Sequence, residues 1–117
     1  MKREDALKKK KEFRYTYRVG KSASHRFFTV IVAPRRTGET RVGISVSKKQ
    51  GNSVRRNRIK RRLREAVTPY IPLMRGGINV IFVARGSVAE APFAELGTAV
   101  QQTLERAGVI KRSEKDA

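Results

Sequence analysis

The chain contains no cysteine and no tryptophan, and it has one histidine. Without thiols there is no disulfide framework, no thiolate zinc site and no cysteine nucleophile. The lone imidazole, His25 beside Arg26, has no carboxylate near it in sequence. It reads as a surface or structural residue rather than half of a catalytic pair. Acid is scarce as well: ten Asp and Glu stand against 28 Lys and Arg. Glu4, Asp5, Glu12, Glu39 and Glu65 never fall at a metal-binding spacing, and no glycine-rich phosphate loop with a lysine is present. The longest apolar run is Val80 to Ala84, against the about 20 residues a membrane helix needs. No signal-peptide pattern opens the chain. These absences point away from an independent hydrolase, a membrane protein or a small-molecule enzyme, and toward a cytoplasmic chain.

Positive charge is what the chain has in quantity. In 117 residues the formal net charge is +18, which points to a polyanionic partner. The charge is unevenly placed. Residues 1–84 carry 23 Lys or Arg and 5 acids, whereas residues 85–117 carry 5 of each. Solubilising charge would be spread out, so the asymmetry marks a binding face on the first two-thirds. From Lys48 to Arg64 there are nine basic residues and no acid. The length predicts one domain, 1–117, with an ordered core over about 5–110 and a frayed tail over about 111–117.

In chain order, residues 2–12 are good helix formers without Gly or Pro, and a short helix is expected there. Phe13, Tyr15 and Tyr17 then alternate with polar residues up to Gly20, a period of two that predicts an extended strand. Those aromatics suit either core packing or stacking on unpaired bases. Residues 26–33 predict a strand, Pro34–Thr40 a hairpin loop, and Arg41–Ser47 the returning strand. On that strand Val42, Ile44 and Val46 belong on the core. Gly43, Ser45 and Ser47 leave a shallow, small-polar opposite face.

Asn52 or Ser53 caps a helix that runs to about Val67, ahead of Pro69 and Pro72. Ile59, Leu63, Ala66 and Val67 form its apolar stripe; Asn57, Lys60, Arg61 and Arg64 lie on the other side, with Arg58 and Glu65 beside them. Residues 69–77 read as a connecting loop. Residues 78–84 predict a strand buried on both faces, and 92–107 a covering helix with Phe93, Leu96, Val100 and Leu104 on its apolar side.

The stretch V-G-I-S-V-S-K-K-Q-G-N-S-V-R-R-N-R-I-K-R-R-L-R-E resembles the signature of the bacterial ribonuclease P protein component, centred on Arg56-Asn57-Arg58. The flanks agree with the resemblance, which extends over about residues 5–110. It implies an α+β fold, a single two-layer αβββαβα domain in the class of a ribosomal-protein domain, with a left-handed β-α-β crossover carrying the basic helix. It further implies a subunit of a ribonucleoprotein endonuclease in which a catalytic RNA, with Mg²⁺ held mainly by that RNA, removes the 5′ leader of precursor tRNA. No catalytic residue is then expected in this chain, and no metal ligand is assigned to it.

By position, the resemblance implies contact with the catalytic RNA at Arg55, Arg56, Asn57, Arg58, Lys60, Arg61 and Arg64. It implies a leader-binding cleft at Phe13, Tyr17, Ile31, Ser45, Lys48 and Lys49. The alternative is a structural RNA-binding protein of ribosomal kind, which would have no use for a substrate cleft. A DNA-binding role is weaker, since a helix so uniformly charged offers little direct base readout.

Overall fold

The apolar run at residues 78–84 becomes β4 (Ile78–Ala84), the strand around which the others are arranged. The structure, a computed structural model, describes residues 1–111; of the tail expected to fray, 112–117 lie outside them. The other elements are α1 (Lys10–Val19), β1 (Lys21–Ser24), β2 (Phe28–Pro34), β3 (Arg41–Ser45), α2 (Ser53–Val67) and α3 (Phe93–Arg106). The order is thus αβββαβα, an α+β fold with one sheet in the order β1-β2-β4-β3. β2 pairs antiparallel with both β1 and β4, while β3 lies parallel to β4. The parallel pair needs a crossover, and α2 is that crossover.

Pro34–Thr40 is therefore not a hairpin loop, because β4 lies between β2 and β3. β4 is the most apolar strand and takes a central place, where both of its faces can be covered. The loop is satisfied across the end of β4 instead: Arg35 N donates to Gly77 O and Gly77 N to Gly38 O. Of residues 69–77, expected to be loop, the first part instead belongs to a 3₁₀ segment, Thr68–Leu73.

The first 24 residues depart furthest from expectation. Residues 2–12 do not form one helix. After a 3₁₀ turn at Arg3–Asp5, Ala6 bridges to Val42, Leu7 N donates to Val42 O at 2.9 Å, and the Leu7 side chain is buried. Burying that single leucine against β3 holds the chain extended, and the helix starts only at Lys10. The strand expected over Phe13–Val19 is helical. Over five residues a period of two and a helical i, i+4 pair both bring Phe13 and Tyr17 to one side, so the aromatic pattern could not separate them. Thr16 settles the matter: it is fully buried, donating to Glu12 O and accepting from Asn79 Nδ2. The strand itself is the short Lys21–Ser24, which has little apolar pattern to announce it.

The sheet has two differently covered faces. Phe28, Val30, Val42, Val80 and Phe82 meet Ile59, Leu63 and Val67 of α2 and Leu96, Val100 and Leu104 of α3 in the main core. The stripe expected on α2 is the buried one. Phe93, at the first position of α3 and expected on its apolar side, is instead 51% exposed. The opposite face is crossed by α1, which packs on β2 and β4.

Candidate nucleic-acid interface

A Gly51-Asn52 turn leads into α2, with Gly51 at φ 129°, a conformation that favours glycine. Asn52 Oδ1 accepts from Arg55 N at 3.0 Å, capping the first turn. Ile59, Leu63, Ala66 and Val67 fix the rotation of the helix by their burial. At 100° per residue the basic side chains then divide between two flanks.

One flank faces the connection between β4 and α3. Arg55 donates to Gln50 O, Gly86 O and Glu90. Arg58 Nε donates to Ala89 O at 3.1 Å, and Arg62 donates to Ala89 O and Ala91 O. The other flank is open. Asn57, Arg61 and Arg64 are exposed, Lys60 is half-buried, and Arg56 reaches only back to Gly51 O. Of the seven predicted positions, then, Arg55 is wholly engaged inside the protein and Arg58 partly so. Arg62 was absent from the predicted set, and nothing in the sequence distinguished its anchoring role from the charges around it. The Arg55 guanidinium holds the Glu90 carboxyl below its usual range, chiefly through the hydrogen bond, which outweighs the opposing effect of burial; the charges of Arg55 and Arg58 add to the lowering.

On the other face of the sheet, β-register lays residues out in rows. Ser22, Ile31, Ile81 and Gly43 form one row, and Ser24, Thr29, Val83 and Ser45 the next. α1 covers the first row. The Phe13 ring lies over Gly43, where an added Cβ would come within 2.6 Å of Cζ, and Gly20 is pressed against Ile31 Cγ2. The second row is more open: Thr29, Val83 and Ser45 are half-buried and Ser24 is exposed. Two of its hydroxyls, Ser24 Oγ and Thr29 Oγ1, are 3.4 Å apart.

Phe13 and Tyr17 have ring centroids 6.5 Å apart, and Tyr17 is 44% exposed. They occupy the opposite flank of α1 from Glu12 and Tyr15, which reach Arg35 and Pro34. Beyond β3, Lys48 and Lys49 are exposed on the 3₁₀ turn Lys48–Gln50. Phe13, Tyr17, Ile31 and Ser45 thus lie on the α1 side of the sheet, while Lys48 and Lys49 follow the end of β3 on the way to α2. Ile31 sits a row behind Ser45, beneath Gly20. Thr29, Ser24 and Val83 extend the floor and were not named from sequence, although the alternation of residues 28–34 would have put Thr29 on the Ile31 side.

The structure offers exposed cations on α2 and, on the far side of the sheet, two aromatics beside a row of hydroxyls, with two exposed lysines past the end of β3. Among the described residues no three His, Asp or Glu side chains converge as a metal site, and no helix is long and apolar enough to cross a membrane. His25 is structural. Its Nδ1 accepts from Phe27 N at 3.2 Å, and its ring stacks on Phe28 with centroids 5.6 Å apart.

A family model described as Ribonuclease P matches residues 1–108. The ribonuclease P protein component of Clostridium botulinum strain Loch Maree is 37% identical over 108 residues, which are 92% of this chain and 97% of the relative. That of Symbiobacterium thermophilum is 40% identical over 113 residues, 96% of this chain and 98% of the relative. The solved structure of the Staphylococcus aureus RNase P protein superposes with a TM-score of 0.80 at 30% identity, covering 92% of this chain and 98% of that one.

Proposed function

The chain belongs to the ribonuclease P protein family, and on that premise we propose that it binds two RNAs through opposite faces of its sheet. As a ribonuclease P protein component it is part of an endoribonuclease complex with the RNase P RNA and acts in tRNA processing. The finer reading is that the open flank of α2, with Arg56, Asn57, Lys60, Arg61 and Arg64, grips the catalytic RNA. The groove of Phe13, Tyr17, Ser45, Lys48 and Lys49 holds the single-stranded 5′ leader of precursor tRNA.

One observation carries this reading: the basic helix and the aromatic, hydroxyl-lined groove lie on opposite faces of one sheet. A protein that only coated a folded RNA would need the first of these and not the second. Guanidinium forks suit phosphate oxygens. Asn57 can donate and accept at once, as a ribose hydroxyl or base edge requires. Tyr17 offers a stacking surface to an unpaired base.

We assign bond cleavage to the RNA, with Mg²⁺ as its ion. The chain's own contribution is to neutralise phosphates and orient the leader. Each phosphate contact should contribute about 0.7–0.9 to the salt slope of binding. The test is cleavage of precursor tRNA by the catalytic RNA at low Mg²⁺ and near-physiological salt, with and without the protein. Stimulation that is lost on shortening the leader supports the reading. RNA binding without any stimulation would support the ribosomal-type alternative instead.

A further inference from the structure

On the flank of α1 away from Phe13 and Tyr17, the helix, the end of β2 and the loop after it enclose an open cavity of about 750 Å³. Its floor is polar and already satisfied. Asn79 is 2% exposed; it accepts from Arg35 Nη1 at 2.9 Å and donates to Thr16 Oγ1 at 3.1 Å. Arg35 also pairs with Glu12, the one carboxylate in the lining, and its Nη2 lies 3.8 Å from Glu39 Oε1 outside the lining. The pair leaves the floor without net charge.

The rim is different. Lys11, Arg14 and Arg18 stand along α1, and Arg36 faces them from the loop. All four are exposed, and none makes a hydrogen bond or ion pair among the described residues. This sets them apart from Arg35, Arg41, Arg55, Arg62, Arg75 and Arg106, each of which donates to a protein acceptor. The three on α1 follow at three and four residues, about 4.5 and 6 Å apart along the axis. Tyr15 forms part of the wall, its hydroxyl fixed by donation to Pro34 O at 2.9 Å.

Four unpartnered cations around a neutral concavity repel one another, and a polyanion relieves that repulsion. A single small anion cannot reach a row of this length, whereas consecutive phosphates can. A fixed aromatic beside cations is the arrangement that holds unpaired nucleotides. We propose that this cavity is a further RNA site, which holds the phosphodiester backbone of a single strand with a base against Tyr15. The body of α1 separates it from the leader groove, and the sheet separates it from α2. It does not depend on what either of those surfaces binds.

The test uses the full chain alone, ¹⁵N-labelled, titrated with hexauridylate and separately with uridine 5′-monophosphate. Hexauridylate should shift the Asn79 side-chain amide and the backbone amides of residues 35–37 saturably. Arg14→Ala with Arg36→Ala should weaken the binding read at those resonances by about tenfold. Lys2→Ala with Lys111→Ala removes the same charge elsewhere and should have little effect there. All four positions are exposed, so both variants should fold. The monophosphate should bind at least about tenfold more weakly than the hexamer. The proposal is overturned if these resonances do not move while those of Thr29 and Ser45 do. It is overturned equally if the two double variants weaken binding alike, or if the monophosphate binds as tightly as the hexamer.

Discussion

Arg55 and Glu90 are joined across the protein surface, Nη1 to Oε1 at 2.7 Å, while Arg55 Nε and Nη2 donate to Gln50 O at 2.8 Å and Gly86 O at 3.1 Å. One side chain thereby ties the start of α2 to the turn before it and to the connection between β4 and α3. An arginine so engaged must abandon three acceptors to reach a phosphate. Charge alone made Arg55 look equivalent to Arg61, but their surroundings make one a clamp and the other a free cation.

The first prediction follows from that difference. Without RNA, Arg55→Ala should lower the melting temperature, and Arg61→Ala should leave it within about 3 °C of the parent. With the catalytic RNA, Arg61→Ala should reduce the salt slope of binding by about 0.7–0.9. The Arg55 clamp should also respond to acid. The Glu90 pKa is lowered in the fold, chiefly by the hydrogen bond from Arg55. The pair therefore contributes fully above the unfolded carboxylate's pKa and is lost as pH falls through the lowered value. Equal melting temperatures for the two variants would put Arg55 with the free cations.

Gly43 and Phe13 give a second prediction. A Cβ at Gly43 would lie 2.6 Å from Phe13 Cζ, 2.9 Å from Cε1 and 3.4 Å from Leu7 Cβ. Gly43→Ala should therefore cost about 1–3 kcal/mol by overpacking. Combining it with Phe13→Leu should recover part of that cost, because the shorter side chain vacates the contested space. Denaturant unfolding of the parent, both single variants and the double variant measures the coupling. Strictly additive costs would mean that ring and glycine do not compete.

These examples show how far residue pattern reaches. The α2 stripe and the span of α3 were legible because each helix is long enough for its period to be unambiguous, and β4 because an unbroken apolar run of that length fits a strand buried on both faces. The short β1, the pairing of β3 with β4 rather than β2, and the identity of Phe13–Val19 were not. The first lacks an apolar pattern; the second depends on which strand competes best for the centre. The third turns on Thr16 and Asn79, 63 residues apart in sequence and hydrogen-bonded in the fold. In the candidate site, the basic residues were legible as a group, but not their division into anchored and free, which depends on carbonyls at Gly86, Ala89 and Ala91.

His25 provides a third prediction, independent of RNA. Its pKa is lowered from the ordinary histidine value, first by burial and then by the charges of Arg26 and Arg106. A histidine with a lowered folded pKa binds fewer protons in the native state than in the unfolded one. Its neutral form costs nothing above the unfolded pKa, and stability falls as pH drops from there through the folded value. An NMR titration should place the His25 midpoint below that of an unfolded peptide of the same sequence. Arg26→Ala should raise the midpoint only partway, since burial is the larger cause. A midpoint at the unfolded value in the parent protein would contradict the packing of His25 on Phe28.

Tyr17 is a sharper probe of the leader groove than Phe13. Phe13 is half-buried over Gly43, so its removal disturbs the packing of α1 on β3 as well as any base it touches. Tyr17 is 44% exposed, and its removal uncovers little. Loss of a base–aromatic stack is worth about 1–3 kcal/mol, so Tyr17→Ala should reduce the preference for precursor over mature tRNA by about tenfold or more. Tyr17→Phe keeps the ring and should retain most of the preference. Neither change should alter the melting temperature or the affinity for catalytic RNA alone. The measurement is the ratio of dissociation constants for leader-bearing and leaderless tRNA with the assembled complex. An unchanged ratio for Tyr17→Ala, with the protein folded and bound to its RNA, would remove Tyr17 from the leader's path.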